Sequence, residues 1–167
     1  MDAVLEILDP QFLDSFYSPF PAFDQRDWWV RQYFSILLIW IAGGWLFYLV
    51  FAGLSWYFLF DKSLREHKLF LPKQEWLEIQ VAMESIPWMA VPSAFIFLAE
   101  VNGYSKLYGD FPLTKEHLLY NFFMIIWFLV FTDMLIYWIH RWLHHPLLYG
   151  PIHKLHHKWI ISTPFAR

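Results

Sequence analysis

The chain has 167 residues, of which 58% are hydrophobic, 23% aromatic and only 16% charged. Soluble domains carry nearer a quarter charged residues, so the composition points to a membrane protein, and a net charge of −3 gives no reason to expect a nucleic-acid partner. Cysteine is absent, which excludes disulfides, thiolate zinc sites and a cysteine nucleophile.

Residues 1–32 mix acids, aromatics and three prolines, Pro10, Pro19 and Pro21. Asp2, Glu6, Asp9 and Asp14 stand where a secretory signal would need a basic and then an apolar segment. The stretch therefore reads as an interfacial lead-in with one short helix. Trp28 and Trp29, beside Arg26 and Arg31, suit the headgroup level of a bilayer, and packing on a neighbouring helix is the alternative. Tyr33 to Phe60 then runs for 28 residues without a charge. About 20 residues cross the hydrocarbon core, so this segment spans it, with tilt to absorb the excess. Gly43, Gly44 and Gly53 offer close helix contacts.

Asp61 to Gln80 reads as a polar, basic loop, with His67 solvated. Val81 to Leu98 is apolar but interrupted by Pro87 and Pro92. Proline at membrane depth is tolerated only where other groups satisfy the freed backbone, so either a kinked span or a re-entrant pair of half-helices fits. A loop from Ala99 to Glu116 follows, and His117 has no ligand-spaced neighbour. Leu118 to Ile139 is a third span whose one charge is Asp133. Lysine and arginine number 2 before the first span, 4 in 61–80, 2 in 99–117 and 4 after the third. If all three cross, the richer pair of loops faces the cytosol. The expected fold is all-α: a polytopic membrane helical bundle, a single domain over 1–167, with histidine-rich helix ends at the cytosolic face.

Six of the eight histidines fall between His140 and His157. His140 and His144 are four apart and share a helix face. Tyr137 and Asp133 continue that stripe backwards into the span. A polar stripe inside a membrane segment should face protein or a cavity, which makes Asp133 a distal ligand, an orienting group or a structural partner for another span. His153, His156 and His157 again share a face if helical, after a break at Gly150 and Pro151. A nitrogen-rich, thiolate-free set of this kind fits iron, zinc or copper. A membrane zinc hydrolase usually presents H-E-x-x-H, yet no glutamate follows Glu116. Redox chemistry on oxygen at a metal pair is therefore favoured.

The two groups, His140-x3-His144 and His153-x2-His156-His157, resemble the first two histidine boxes of the fatty acid hydroxylase and sterol desaturase superfamily. Their flanks, Phe131-Thr-Asp-Met-Leu-Ile-Tyr-Trp-Ile-His140 and Thr163-Pro-Phe-Ala166, are most similar to the sterol C-5 desaturases. Phe51-Ala-Gly-Leu-Ser-Trp-Tyr-Phe and Ala99-Glu-Val-Asn-Gly-Tyr-Ser-Lys-Leu-Tyr108 are similar to the fungal members. The resemblance implies an endoplasmic-reticulum enzyme that uses two iron ions and O2, with electrons from NAD(P)H through cytochrome b5 and its reductase. It implies introduction of the C5–C6 double bond into a Δ7-sterol drawn from the bilayer, in ergosterol-type synthesis. By position it makes His140, His144, His153, His156 and His157 metal ligands, with His145, Asp133 and Tyr137 as additional or orienting groups. The family pattern continues with a third box of the H-x2-H-H type, and Arg167 stops short of it. The expectation is thus an N-terminal fragment with an incomplete ligand set. Alternatives are a sterol C4-methyl oxidase or lipid hydroxylase of the same superfamily, and a non-catalytic membrane protein that binds a partner.

Overall fold

The structure is a computed structural model that describes residues 1–106, 114–155 and 157–166. It is helical, with no strand among the described residues. The chain forms two compact units, one holding the described residues before 107 together with residues 161–166, the other holding those from 114 to 160.

In the first unit, α1 (Asp2–Leu8), a π-helical turn (Asp9–Leu13) and α2 (Asp14–Tyr17) follow one another without a break. The lead-in is thus more helical than its prolines promised. Pro10 lies in the π turn, inside this continuous helical run. A 3-10 turn (Pro21–Phe23) leads into α3 (Trp29–Phe58), and a second (Lys62–Glu66) precedes α4 (Gln74–Ala99). A further π-helical turn, Glu100–Tyr104, ends α4, with Gly103 at φ 78° where glycine alone bends without strain.

The helices α3 and α4 form an antiparallel hairpin, since Ile36 packs with Ala94 at one end and Tyr48 and Ala52 with Ala82 and Ile86 at the other. The buried residues of α4 are Gln74, Glu78, Ala82, Ile86, Ala90 and Ala94, one every fourth position. Such a row is a helix ridge, and its alanines let the backbones approach closely. Gly44 answers it on α3, for a Cβ there would lie 2.9 Å from Ile86 Cγ2. Gly43 and Gly53, expected to serve the same way, face open space.

Pro87 and Pro92 do not split α4, so the re-entrant alternative fails and one helix runs through both. Proline at 87 leaves the carbonyl of Met83, four residues earlier, without its helical donor. Trp45 Nε1 of α3 donates to that carbonyl at 3.0 Å. The neighbouring helix thereby supplies what the backbone cannot. The helix also begins at Gln74, so about the last two turns of the predicted 61–80 loop belong to it.

Arg31, in the first turn of α3 and almost fully buried, fastens the lead-in to the hairpin. Its guanidinium donates to the carbonyls of Phe23 at 2.7 Å and Asp24 at 3.1 Å, pairs with Asp9 at 3.0 Å and with Asp14, and lies over the Tyr17 ring. Arg26 pairs with Asp14 as well. These hydrogen bonds, first from Arg26 and then from Arg31, hold the Asp14 carboxyl at about 2, well below the usual carboxylate range. A depressed carboxyl adds stability that is complete above its unfolded value and disappears as pH falls through the folded one. Amide hydrogen exchange over residues 2–17 is therefore expected to accelerate between about pH 4 and pH 2, and Asp14→Asn should remove that dependence. Unchanged protection across this window in the native chain would refute the staple.

In the second unit, α5 (Lys115–Leu143) starts at Thr114, whose Oγ1 accepts from the His117 amide at 3.4 Å and lies 2.6 Å from His117 Nδ1. His117 is thus part of a helix start. No residue of α5 is buried within the described structure, and its apolar side chains point outward all round, as in a helix that crosses a membrane. Three helices are long and apolar enough to do so: Trp29–Phe58, Gln74–Tyr104 and Lys115–Leu143. A 30-residue helix is about 45 Å long, against a hydrocarbon core of about 30 Å.

Candidate metal centre

The last turns of α5 carry the first histidine pair. His140 is within the helix, and His144 closes it, its amide donating at 3.3 Å to the carbonyls of His140 and Arg141. The chain then turns through His145 into α6 (Pro146–Leu148) and a π-helical turn (Tyr149–His153). The residues after His153 form turns, so the single helical face expected for His153 and His157 is not what joins them. They meet all the same. His157 Nε2 lies 3.0 Å from His153 Nε2 and 3.2 Å from His144 Nε2, and His144 Nε2 lies 3.2 Å from His140 Nε2.

One ligand atom from each of His140, His144, His153 and His157 lies within 4.8 Å of all the others. His153 is buried, His140 half-buried, and His144 and His157 exposed. His156 lies outside the described residues.

The nitrogens form a chain of three contacts, 140 to 144 to 157 to 153. Hydrogen bonding alone serves this chain poorly. A neutral Nε2 either carries one proton or accepts one, so a nitrogen in the middle that donates to one neighbour has no second proton for the other. A cation removes the conflict by replacing the protons. Adjacent imidazole nitrogens bound at about 2.0–2.1 Å to one ion stand about 3 Å apart around it, as do the nitrogens in the three contacts of this chain. The four described nitrogens therefore fit a metal, and their donor type suits iron, zinc or copper.

The remaining sequence-predicted site residues are elsewhere. His145 Nδ1 accepts from the Leu147 amide at 3.4 Å, so it caps the turn into α6 and does not join the four. Tyr137 accepts from Arg141 Nη1 at 2.9 Å. Asp133 is exposed and lies outside the cluster. Being on one helical stripe with His140 and His144 does not bring it in, because it is seven and eleven residues away, about 10 Å or more along the axis.

Two groups of residues escaped the sequence reading. Tyr149 stacks on His144, with ring centroids 5.6 Å apart and planes at 27°. In the first unit, the segment after the second box is held by buried polar groups of α4. Gln74 Nε2 donates to Glu78 Oε1 and to the Ile161 carbonyl, both at 2.6 Å. Thr163 donates its amide at 3.4 Å to Glu78 Oε1 and its hydroxyl to Glu78 Oε2. Tyr48 closes the clasp by donating to the Phe165 carbonyl at 2.9 Å. The every-fourth-residue row from Gln74 to Ala94 is the sequence signal that leads to Gln74 and Glu78.

Among curated proteins, the chain is 47% identical over 169 residues to lathosterol oxidase of Rattus norvegicus, covering 99% of this chain and 55% of the relative. It is 44% identical to a Delta(7)-sterol 5(6)-desaturase of Schizosaccharomyces pombe, covering 99% and 54%. With another from Aspergillus fumigatus it shares 50% identity over 141 residues, covering 84% and 42%. The chain thus spans about half the length of the curated relatives it matches. No family model matches it, and no solved structure does. Along nearly its whole length the chain is thus similar to sterol C-5 desaturases, and its three long apolar helices fit a multi-pass membrane protein.

Proposed function

We propose that this chain forms part of the catalytic centre of a sterol C-5 desaturase. The observation that carries the reading is the convergence of His140, His144, His153 and His157 at the end of a membrane helix. In this reading His156 completes the second box, and two iron ions are the resident metals. Asp133, Tyr137 and His145 act on the site by orienting its ligands. The two compact units serve as one membrane domain, in the endoplasmic reticulum, with the histidines facing the cytosol as the lysine and arginine distribution favours.

Iron with O2 supplies an oxidant strong enough for an unactivated ring C–H, which side-chain acids and bases cannot. Two hydrogens leave the sterol as the C5–C6 double bond forms, and O2 takes them up with two electrons and two protons to give two waters. NAD(P)H is the electron source, through cytochrome b5. The protein's own residues hold the metals by imidazole nitrogen and present them at the end of an apolar helix, where a sterol in the bilayer can reach.

Product analysis tests this. The protein at its natural length, produced in membranes without such an activity and supplied with a Δ7-sterol, is expected to yield the Δ5,7-sterol with loss of two hydrogens and no gain of oxygen. A hydroxylated sterol, or one oxidised at a C4 methyl, would refute C-5 desaturation.

A further inference from the structure

A metal-ligating histidine is generally oriented through its other ring nitrogen, which donates to a carboxylate, a carbonyl or water. His144 lacks such a partner among the described residues. Its Nε2 faces His140 and His157, and no hydrogen bond of its Nδ1 is present. His144 is also exposed, so burial does not fix its ring.

What does touch it is Tyr149. The tyrosine ring is stacked on His144 and makes lesser contacts with His153 and His157, at centroid distances of 6.3 Å each. Tyr149 is itself held by the backbone on both sides. Its amide donates to the His145 carbonyl at 2.9 Å, and its carbonyl accepts from the Lys154 amide at 2.7 Å. The His145 side chain caps the same turn. Here is the use of the second histidine of the His144-His145 pair: it shapes the turn that returns an aromatic ring over the first.

We propose that Tyr149 is the positioning residue of this metal site, its ring stacked on the His144 imidazole and fixing its plane where no described protein group bonds to Nδ1. The proposal rests on the reading of the four histidines as metal ligands. A flat ring laid on an imidazole restricts rotation about the Cβ–Cγ bond of the histidine, so Nε2 stays aimed at the point the other three share. The tyrosine hydroxyl has no part in this. Phenylalanine should therefore serve equally, and an aliphatic side chain of similar bulk should not.

Cobalt(II) titration of the purified chain in detergent, followed by its visible absorption, separates these cases. Y149F is expected to bind within about twofold of the native chain. Y149L and Y149A are expected to bind about 10-fold more weakly, the lower range of losses for groups that orient a ligand, with a changed absorption envelope as His144 loosens. Far-ultraviolet circular dichroism monitors folding, and if Y149A unfolds, the comparison of Y149F with Y149L carries the test. Native affinity in Y149L, or equal weakening in Y149F and Y149L, would overturn the proposal. H144A is the control for the reading beneath it. No cobalt uptake by the native chain, or undiminished uptake by H144A, would overturn the metal site itself.

Discussion

Replacing His157 by alanine is expected to weaken metal binding by more than about 100-fold, and to abolish sterol desaturation by the protein at its natural length. Removing a group that merely orients a ligand costs 10- to 100-fold, and His157 is one of the four proposed ligands themselves. It is also the link between the two boxes. Its Nε2 is the atom that approaches both His144 of the first box and His153 of the second, at 3.2 and 3.0 Å. Without it His140, His144 and His153 remain within 4.8 Å of one another, one nitrogen short and without the atom that lies nearest to both His144 and His153. The side chain is exposed, so its loss should leave the melting temperature of the metal-free chain unchanged within about 2 °C. Metal content of the purified variant and a melting curve in chelator make the measurement. A variant that keeps cobalt affinity within about threefold of the native chain would show that these imidazoles do not act together.

The second large effect is expected at Glu78. Its carboxylate is 1% exposed and accepts hydrogen bonds from Gln74, from the Thr163 amide and from the Thr163 hydroxyl. Glu78→Ala deprives all three donors of their acceptor inside a buried site. Each buried polar group left unsatisfied costs about 1–3 kcal/mol, so a loss of about 3 kcal/mol is expected even if Gln74 keeps its bond to the Ile161 carbonyl. Glu78→Gln should be milder, about 1 kcal/mol, because its amide oxygen still accepts while its NH2 donates to Thr163 Oγ1. A double-mutant cycle with Thr163→Val checks that the two residues act as one unit. Denaturant unfolding in detergent should give a coupling of about 1–3 kcal/mol, and simple additivity would mean that the clasp seen here contributes nothing. Residues 161–166 should also become sensitive to protease in Glu78→Ala, since Thr163 in their middle loses both its bonds to α4.

The three apolar helices were legible from composition alone, because apolar runs of such length with at most one charge have few soluble fates. Their ends were less so. Gln74 to Gln80 looks like loop by polarity, yet Gln74 and Glu78 are the polar end of a buried ridge, and polarity by itself does not tell a solvated side chain from a clasped one. The two prolines of α4 left two outcomes open, and the choice fell to Trp45, a residue about forty positions away whose indole reaches the Met83 carbonyl. Nothing near Pro87 in the chain announces that donor.

At the site, the histidine types and spacings by themselves marked a candidate metal centre, and the family resemblance named His140, His144, His153, His156 and His157 as its ligands, of which four come together among the described residues. Local chemistry suffices there, since imidazole is a good ligand wherever several are brought together. The tertiary structure alone decided which neighbouring residues serve them. His145 and Tyr137 lie as close in sequence as the ligands do, but one caps a turn and the other accepts from Arg141. Tyr149, which had no motif to mark it, lies against the His144 ring. Spacing along a helix predicts which side chains share a face. It does not predict where a turn folds back, because that depends on backbone hydrogen bonds between residues that no periodicity relates.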